Sequence, residues 1–243
     1  MAEKTKTYDF IAIGAHPDDV EVGAGGVIIR MIDMGYSAGI VYLTQGEMGT
    51  GGTARIRRKE AEEAAQIMGA DLLERHDLGD TTVFDTPESR ALVARALRKY
   101  RPKIVLAPHW DGHTGKRQSH ADHIATGRIV LNAANLCRLK KFDRRTPPHE
   151  VSAIFHYFLP IGETPTFVVD ITDYFDRWVA ALKAHRSQFL NPKKTRDYLW
   201  TLETMARSYG NLIGVKYGQG FVSSSPLHID DLSAISGLSR PAV

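Results

Sequence analysis

The stretch FIAIGAHPDDVEVGAGG, residues 10–26, decides the fold because an apolar, strand-like run leads directly into a charged turn. Within a few residues of that run, the chain places four ionisable side chains: His16, Asp18, Asp19 and Glu21. Carboxylates at the end of a buried strand are costly to desolvate unless a positive charge or a hydrogen-bond partner compensates them. We therefore expect this turn to be a site for a compensating group.

Strand-like and helix-like segments alternate along the first two thirds of the chain. Apolar runs predict strands at 8–15, 39–44, 72–78 and 103–108, and the segments between them predict helices near 25–35, 54–69 and 87–100. Such alternation is typical of parallel strands joined by right-handed helical crossovers. The pattern predicts an α/β fold, a Rossmann-like, open and mostly parallel sheet with helices on both faces.

The last third of the chain is less regular but continues the same domain. It contains two predicted strands and two predicted helices: 152–158, 166–171, 173–189 and 194–208. The polar, proline-containing stretch 139–150 is followed by further strands, so we do not interpret it as a domain boundary. We predict a single domain over 1–243, with its core at about 8–225 and a C-terminal extension at 226–243.

Composition excludes several classes of protein. The chain is 43% hydrophobic and 24% charged, which is typical of a globular protein, and its net charge of +3 is too small to indicate a nucleic-acid partner. Its only cysteine, Cys137, excludes an internal disulfide and favours a reducing compartment. No stretch approaches the roughly 18 apolar residues of a membrane helix. We expect a cytoplasmic protein with no membrane association.

A second cluster of ionisable residues, His120-Ala-Asp122-His123, follows the predicted strand at 103–108. Because ligands of open α/β sheets lie beyond the carboxyl ends of the strands, this cluster and the one at 16–19 can meet in one pocket. Two imidazoles and one carboxylate with an open position are typical of a catalytic zinc site. The candidate ligands outnumber the three ligand positions of such a site, so one acid and one histidine would remain as general base and electrophile.

Other interpretations of these residues exist. An isolated histidine or aspartate before a helix is usually a cap or a turn former. A dinucleotide-binding turn would need glycines where His16 and Asp19 stand, and its acids would repel phosphates. A metal-dependent phosphoesterase would usually carry more carboxylates, to hold two metals. A non-catalytic zinc-binding module would leave the spare acid and histidine unexplained.

The two motifs resemble those of the zinc-dependent de-N-acetylases that act on N-acetylglucosaminyl conjugates. AHPDDVEVGAGG and the later HADH carry the resemblance, which extends over about 8–225. The segment 43–70, with its GEMGT sequence, and IGVKYGQGF at 213–221 are similar to the bacillithiol-biosynthesis branch of that family. The resemblance implies hydrolysis of an acetamide, with N-acetylglucosaminyl-malate as the expected substrate. Another N-acetylglucosamine conjugate or a chito-oligosaccharide is the alternative.

The resemblance also implies roles for individual residues. The implied metal ligands are His16, Asp19 and His123, and Asp18 is implied as the general base that activates a zinc-bound water. His120 is implied to stabilise the oxyanion, with Asp122 orienting it and keeping it protonated. Arg57 falls on the substrate-binding arginine of the family, where it would hold the malate carboxylate at the pocket rim. Tyr198 falls where related enzymes have a tyrosine that moves toward the substrate carbonyl.

The resemblance further implies one Zn2+ per subunit, although a His2Asp set also accepts Fe2+, Co2+ or Mn2+. Relatives of this type form homo-oligomers, often hexamers, so a homo-oligomer is expected here as well. The chain departs from the family pattern in its 110–119 loop, where His113 is a rival ligand, and in LGDTTV at 78–83, which retains an acid as Asp80. Glu21 is expected to hydrogen-bond behind the ligands.

Overall fold

The computed structural model describes residues 6–112, 119–192 and 197–229. The rival ligand His113 and most of the extension at 226–243 therefore lie outside the described residues. The strands are β1 Phe10–Gly14, β2 Ala38–Tyr42, β3 Asp71–Arg75, β4 Ile104–Pro108, β5 Ala153–Tyr157, β6 Phe167–Asp170 and β7 Gly218–Ser223. The helices are α1 Asp19–Asp33, α2 Ala54–Met68, α3 Pro87–Tyr100, α4 Ala121–Cys137, α5 Phe175–Ala184, α6 Arg186–Phe189 and α7 Tyr198–Leu212.

The strands form a seven-stranded sheet with the order β3-β2-β1-β4-β5-β7-β6. Strands β1 to β5 are parallel, whereas β7 runs antiparallel to both β5 and β6. The strand order reverses between β1 and β4, and this switch point is where open α/β sheets bind ligands. The predicted mostly parallel α/β sheet is confirmed, and both charged motifs follow the two strands that flank the switch point.

Helices cover both faces of the sheet, as predicted. One core packs α1, α2, α5 and α7 against the sheet, with Ile28, Met68 and Trp178 among its buried side chains. The other packs α3 and α4 against the opposite face around Leu97 and Ile129. Among the described residues, no helix combines the length and the apolar composition that crossing a membrane requires.

Three element boundaries differ from the sequence-based expectations. Helix α1 begins at Asp19 rather than near 25, because the glycines in its first turns pack closely instead of ending it. The helix predicted at 173–189 is interrupted at His185, whose φ of −77° and ψ of 61° are not helical. Strand β7 is absent from the sequence-based prediction, because two glycines and a glutamine weaken its strand signal.

Close packing of α1 against β5 fixes the position of the charged turn. Gly23 lies so near the Tyr157 ring that a methyl group added at Gly23 would overlap it. The buried Tyr157 hydroxyl in turn donates a 2.7 Å hydrogen bond to the carbonyl of Ile13 in β1. A glycine in the first turns of α1 therefore lets the helix begin directly at the end of β1.

We expect Gly23→Ala to lower the free energy of unfolding by about 2–3 kcal/mol, because the added methyl overpacks the core. This corresponds to a fall in Tm of roughly 5–10 °C for a domain of this size. Gly35→Ala is the matched control: its φ of 95° also disfavours alanine, but no atom lies within 4 Å of the added methyl. Equal losses in thermal denaturation of the two variants would contradict the packing argument.

Candidate active site

A cavity of about 480 Å³ opens at the carboxyl ends of β1 and β4. Its volume lies within the range of pockets that bind small molecules. Seven of the eight predicted site residues line it: His16, Asp18, Asp19, Arg57, His120, His123 and Tyr198. The eighth, Asp122, is fully buried beside them. The structure therefore brings the two motifs together at the switch point of the sheet.

The histidines of the two motifs are close enough to share a metal ion. His16, His120 and His123 each offer a ring nitrogen, and these nitrogens lie within 4.8 Å of one another. The Asp19 carboxylate lies 3.0 Å from Nε2 of His123 and 3.5 Å from Nδ1 of His16. This donor set of imidazoles and a carboxylate fits a divalent metal of the zinc type.

His16 is surrounded by negative charge. Its Nε2 lies 3.0 Å from a carboxylate oxygen of Asp80 and 3.0 Å from one of Asp122, while its backbone N–H donates to Asp19 at 2.8 Å. Burial lowers the pKa of His16, but the Asp19, Asp122 and Asp80 carboxylates outweigh it and raise that pKa to about 12. The site therefore strongly stabilises positive charge. Positive charge here compensates the buried carboxylates that the sequence places after the first strand.

The contacts of His16 also indicate which of its nitrogens can bind a metal. Asp80 and Asp122 both face Nε2, so the Nε2 proton is the one that they hold. Nδ1 is then the nitrogen left for a metal, and it faces Asp19. A carboxylate that holds the second ring N–H of a ligating histidine fixes its tautomer and makes it a stronger ligand.

Asp18 occupies a strained backbone position. It is the N-cap of α1, with φ of 117° and ψ of −22°, but its side chain makes no capping hydrogen bond. A non-glycine residue at positive φ costs about 1–3 kcal/mol, and such strain clusters at functional sites. Burial raises the pKa of Asp18 above its ordinary value, against the opposing charge of Arg57. A carboxylate with a raised pKa facing a cavity suits a general base.

Arg57 lines the cavity, and its guanidinium is largely buried beside Asp18. It is 4% exposed, and its Nη1 donates to the carbonyl of Gly46 at 2.9 Å. Its Nη2 donates to the carbonyl of Pro17 and to Asp18 Oδ1, the latter at 3.2 Å. A methyl group added at Gly46 would overlap the guanidinium. Both Nη groups are thus engaged by the protein, whereas Nε is buried and has no hydrogen-bond partner among the described residues. Binding of a substrate carboxylate by Arg57 stays a prediction.

The predicted pairing of Asp122 with His120 is not observed. Asp122 instead binds His16, and it accepts hydrogen bonds from the backbone N–H of Thr81 at 2.7 Å and of Val83 at 3.3 Å. His120 caps α4, and its Nδ1 accepts from the backbone N–H of Asp122 at 3.2 Å. Burial and the neighbouring His123 and His16 lower the pKa of His120. A neutral His120 with its proton on Nε2 is the form that these contacts favour.

Glu21 contacts neither of the motif histidines nor Asp19. It is fully buried, and both its carboxylate oxygens accept from the Tyr42 hydroxyl, at 2.8 and 2.7 Å. His185 Nε2 lies 3.1 Å from the same carboxylate. In place of the expected hydrogen bond behind the metal ligands, Glu21 therefore interacts with Tyr42 and His185 in the core beneath the turn. Tyr198, by contrast, begins α7 and lines the cavity with a side chain that is 40% exposed.

Comparisons with known proteins point to one family. The family model described as PIG-L, GlcNAc-PI de-N-acetylase, matches residues 11–134. A diacetylchitobiose deacetylase of Thermococcus kodakarensis is 34% identical over 236 residues, covering 90% of this chain and 85% of the relative.

The chain belongs to the GlcNAc-PI de-N-acetylase family. A probable N-acetyl-α-D-glucosaminyl L-malate deacetylase 2 of Bacillus cereus is 28% identical over 73% of this chain and 82% of its own length. A conserved protein of Thermus thermophilus has a solved structure that superimposes with a TM-score of 0.80 at 37% identity, covering 92% of this chain and 98% of that one. The enzyme class is a hydrolytic N-deacetylase, which displaces the phosphoesterase and zinc-module alternatives.

Some residues of this de-N-acetylase site have no role that the sequence assigns. The sequence shows Asp80 only as an acid retained in the 78–83 segment. In the fold, Asp80 contacts the His16 ring and accepts a hydrogen bond from the backbone N–H of Met48 at 2.9 Å. Phe158 follows β5 and stacks on His123, with ring centroids 4.8 Å apart. No sequence motif identifies Phe158. Its position in the site depends on where β5 ends, and β5 is the second strand from β1 in the sheet.

We expect Asp80→Asn and Asp122→Asn each to weaken metal binding by about 10- to 100-fold, because His16 loses one charged acceptor of its Nε2 proton. Competition with a chelator of known affinity measures this change. Asp77→Asn, which makes the same change of charge at an exposed position nearby, is the control. Unchanged affinity in both buried variants would show that these carboxylates do not support the ligand.

Proposed function

We propose that this chain removes the acetyl group from an N-acetylglucosamine conjugate by metal-dependent hydrolysis, with zinc as the metal. The observation that carries the proposal is the position of Asp18, a strained and largely buried carboxylate beside the His16, Asp19 and His123 donor set. The cavity that they share, of about 480 Å³, accommodates an aminosugar. The family of the chain supplies the reaction type.

A divalent metal held by His16, Asp19 and His123 would supply Lewis acidity and make water acidic near neutral pH. The remaining chemistry belongs to side chains. Asp18 takes the proton from the attacking water and delivers it to the departing amide nitrogen, so one carboxylate serves both steps. Its raised pKa places it closer to neutrality than an exposed aspartate, which favours both transfers.

His120 is the proposed donor to the oxyanion. Because its Nδ1 accepts a backbone N–H, the neutral ring carries its proton on Nε2, and Nε2 is the nitrogen left for the substrate. One donor of this kind is worth roughly 3 kcal/mol in acyl-transfer enzymes. A neutral donor needs no carboxylate partner, which agrees with the engagement of Asp122 elsewhere.

Two substrates are candidates. A chito-oligosaccharide such as diacetylchitobiose is favoured by the 34% identity to a deacetylase of that name and by the inward direction of Arg57. N-acetylglucosaminyl-malate, of the bacillithiol pathway, is favoured by the relative named for it and by the GEMGT and IGVKYGQGF segments. The homo-oligomeric state implied by the resemblance and the cytoplasmic location expected from the composition stay predictions.

Acetate release measured on diacetylchitobiose, N-acetylglucosaminyl-malate and N-acetylglucosamine tests the function. We expect release from at least one of these substrates, loss of activity with a chelator and recovery on adding Zn2+. A metal-replete protein that releases acetate from none of them would overturn the proposal. The ratio of kcat/KM values between the first two substrates decides the substrate class.

We expect Asp18→Asn to retain the metal while kcat falls by about 10²- to 10⁴-fold, because the general base is lost. His16→Ala should instead lose the metal, because it removes a ligand. Metal content measured beside turnover separates the two effects. Full activity of the Asp18 variant would contradict its assignment as base.

We expect Arg57→Ala to lower kcat by roughly 10- to 100-fold, which is the scale of one hydrogen bond to a charged group. Because Arg57 acts on Asp18 and the turn before it, the losses should be equal for the malate conjugate and for diacetylchitobiose. Arg58→Ala, at an exposed neighbour paired with Glu62, is the control. A loss confined to the KM for the malate conjugate would restore the carboxylate-binding role.

A further inference from the structure

A smaller cavity of about 120 Å³, here called the side chamber, adjoins the active-site cavity. The two cavities share four lining residues: Val22, Phe158, Leu202 and Met205. The remaining walls of the side chamber come from α1, α5, α7, β7 and the residue after Phe158, and they include Trp178 and Ala206. The side chamber therefore lies against the active-site cavity, across a wall formed by these shared residues.

The walls of the side chamber are apolar. Gln219 is a polar residue among them, and its side-chain oxygen already accepts the backbone N–H of Val27 at 2.9 Å. Trp178, another wall residue, donates its indole N–H to the carbonyl of Glu21. A sugar placed here would bury hydroxyl groups against apolar side chains, at a cost of a few kcal/mol for each unpaired group. An alkyl group has no polar atoms, so it would leave no hydrogen bond unmade on entering the side chamber.

The side chamber begins next to the metal-binding residues. The Phe158 ring that separates it from the active-site cavity stacks on His123, with centroids 4.8 Å apart and planes at 24°. Hydrolysis requires the scissile carbonyl to lie beside His123 and the other metal-binding residues. The acyl chain on the carbonyl carbon then lies nearest to Phe158. The leaving amine and its sugar then occupy the rest of the active-site cavity, whose lining includes Met48 and Tyr198.

We propose that the side chamber binds the alkyl chain of an N-acyl aminosugar, so that acyl groups longer than acetyl are substrates. This inference rests on the proposed function. The chemistry is unchanged: the oxygen of water bonds to the acyl carbon, the C–N bond breaks and the nitrogen takes the proton. The products are the free aminosugar and a short-chain carboxylate in place of acetate.

The volume of the side chamber sets the length of the chain. Since an apolar cavity of about 150 Å³ binds benzene, which has six carbon atoms, the 120 Å³ of the side chamber correspond to about four to five carbon atoms. The carbonyl carbon and the carbon next to it stay in the active-site cavity, so a hexanoyl group fills both spaces. Each buried methylene is expected to raise kcat/KM by about fourfold until the side chamber is full.

The test compares N-acetyl-, N-butyryl-, N-hexanoyl- and N-decanoylglucosamine as substrates of the metal-replete enzyme, with the free amine as the measured product. We expect kcat/KM to rise from acetyl to hexanoyl and to gain nothing further at decanoyl. A steady fall from acetyl onward would overturn the acyl-chain proposal and leave the deacetylase function intact. Absence of cleavage for all four, in an enzyme that releases acetate from diacetylchitobiose or N-acetylglucosaminyl-malate, would overturn the acyl-chain proposal alone. Absence of cleavage for those two substrates as well would overturn both proposals.

Ala206→Leu provides the structural control, because its larger side chain fills part of the side chamber from α7. The ratio of the hexanoyl to the acetyl kcat/KM should fall at least tenfold in this variant, and a ratio is insensitive to partial loss of folded enzyme. Ser208→Leu adds a comparable side chain on the exposed face of the same helix and should keep the parental ratio. An unchanged ratio in Ala206→Leu would place the chain elsewhere and overturn the proposal.

Discussion

Buried negative charge around His16 is the constraint on which the rest of the site depends. Asp19, Asp80 and Asp122 approach this one imidazole from three different segments, and all four side chains are nearly inaccessible to water. Carboxylates so close together cannot all remain ionised without a cation among them. The need for a cation therefore joins the turn after β1, the 78–83 loop and the start of α4 into one unit.

The position of the proposed general base follows from the same arrangement. Asp18 stands next to Asp19 but has a left-handed backbone conformation, and its carboxylate contacts Arg57, whereas that of Asp19 contacts His16 and His123. Arg57 compensates the charge of Asp18 from below and binds the carbonyls of Pro17 and Gly46. A buried guanidinium thus supports both the charge of Asp18 and the strained turn that precedes it.

The sequence predicted the parts of the site that depend on topology. His16 and His123 were expected to meet because each motif follows a strand, and β1 and β4 are neighbours at the switch point. The directions of individual side chains were not predictable in this way. Whether Asp122 faces His120 or His16 depends on packing with the 78–83 loop, and periodicity contains no information about that contact. Backbone position follows from the pattern of apolar residues, whereas charged contacts depend on the complete fold.

The burial of Arg57 bears on the substrate selectivity of the proposed deacetylase. We expect a buried guanidinium bound to backbone carbonyls to support the proposed base equally for every substrate. Under the proposed function, other residues that line the cavity would then contribute to the choice of sugar conjugate, among them Met48, which is 66% exposed, and Tyr198, which is 40% exposed. Apolar and aromatic surfaces of this kind pack against the faces of sugar rings more readily than against a carboxylate.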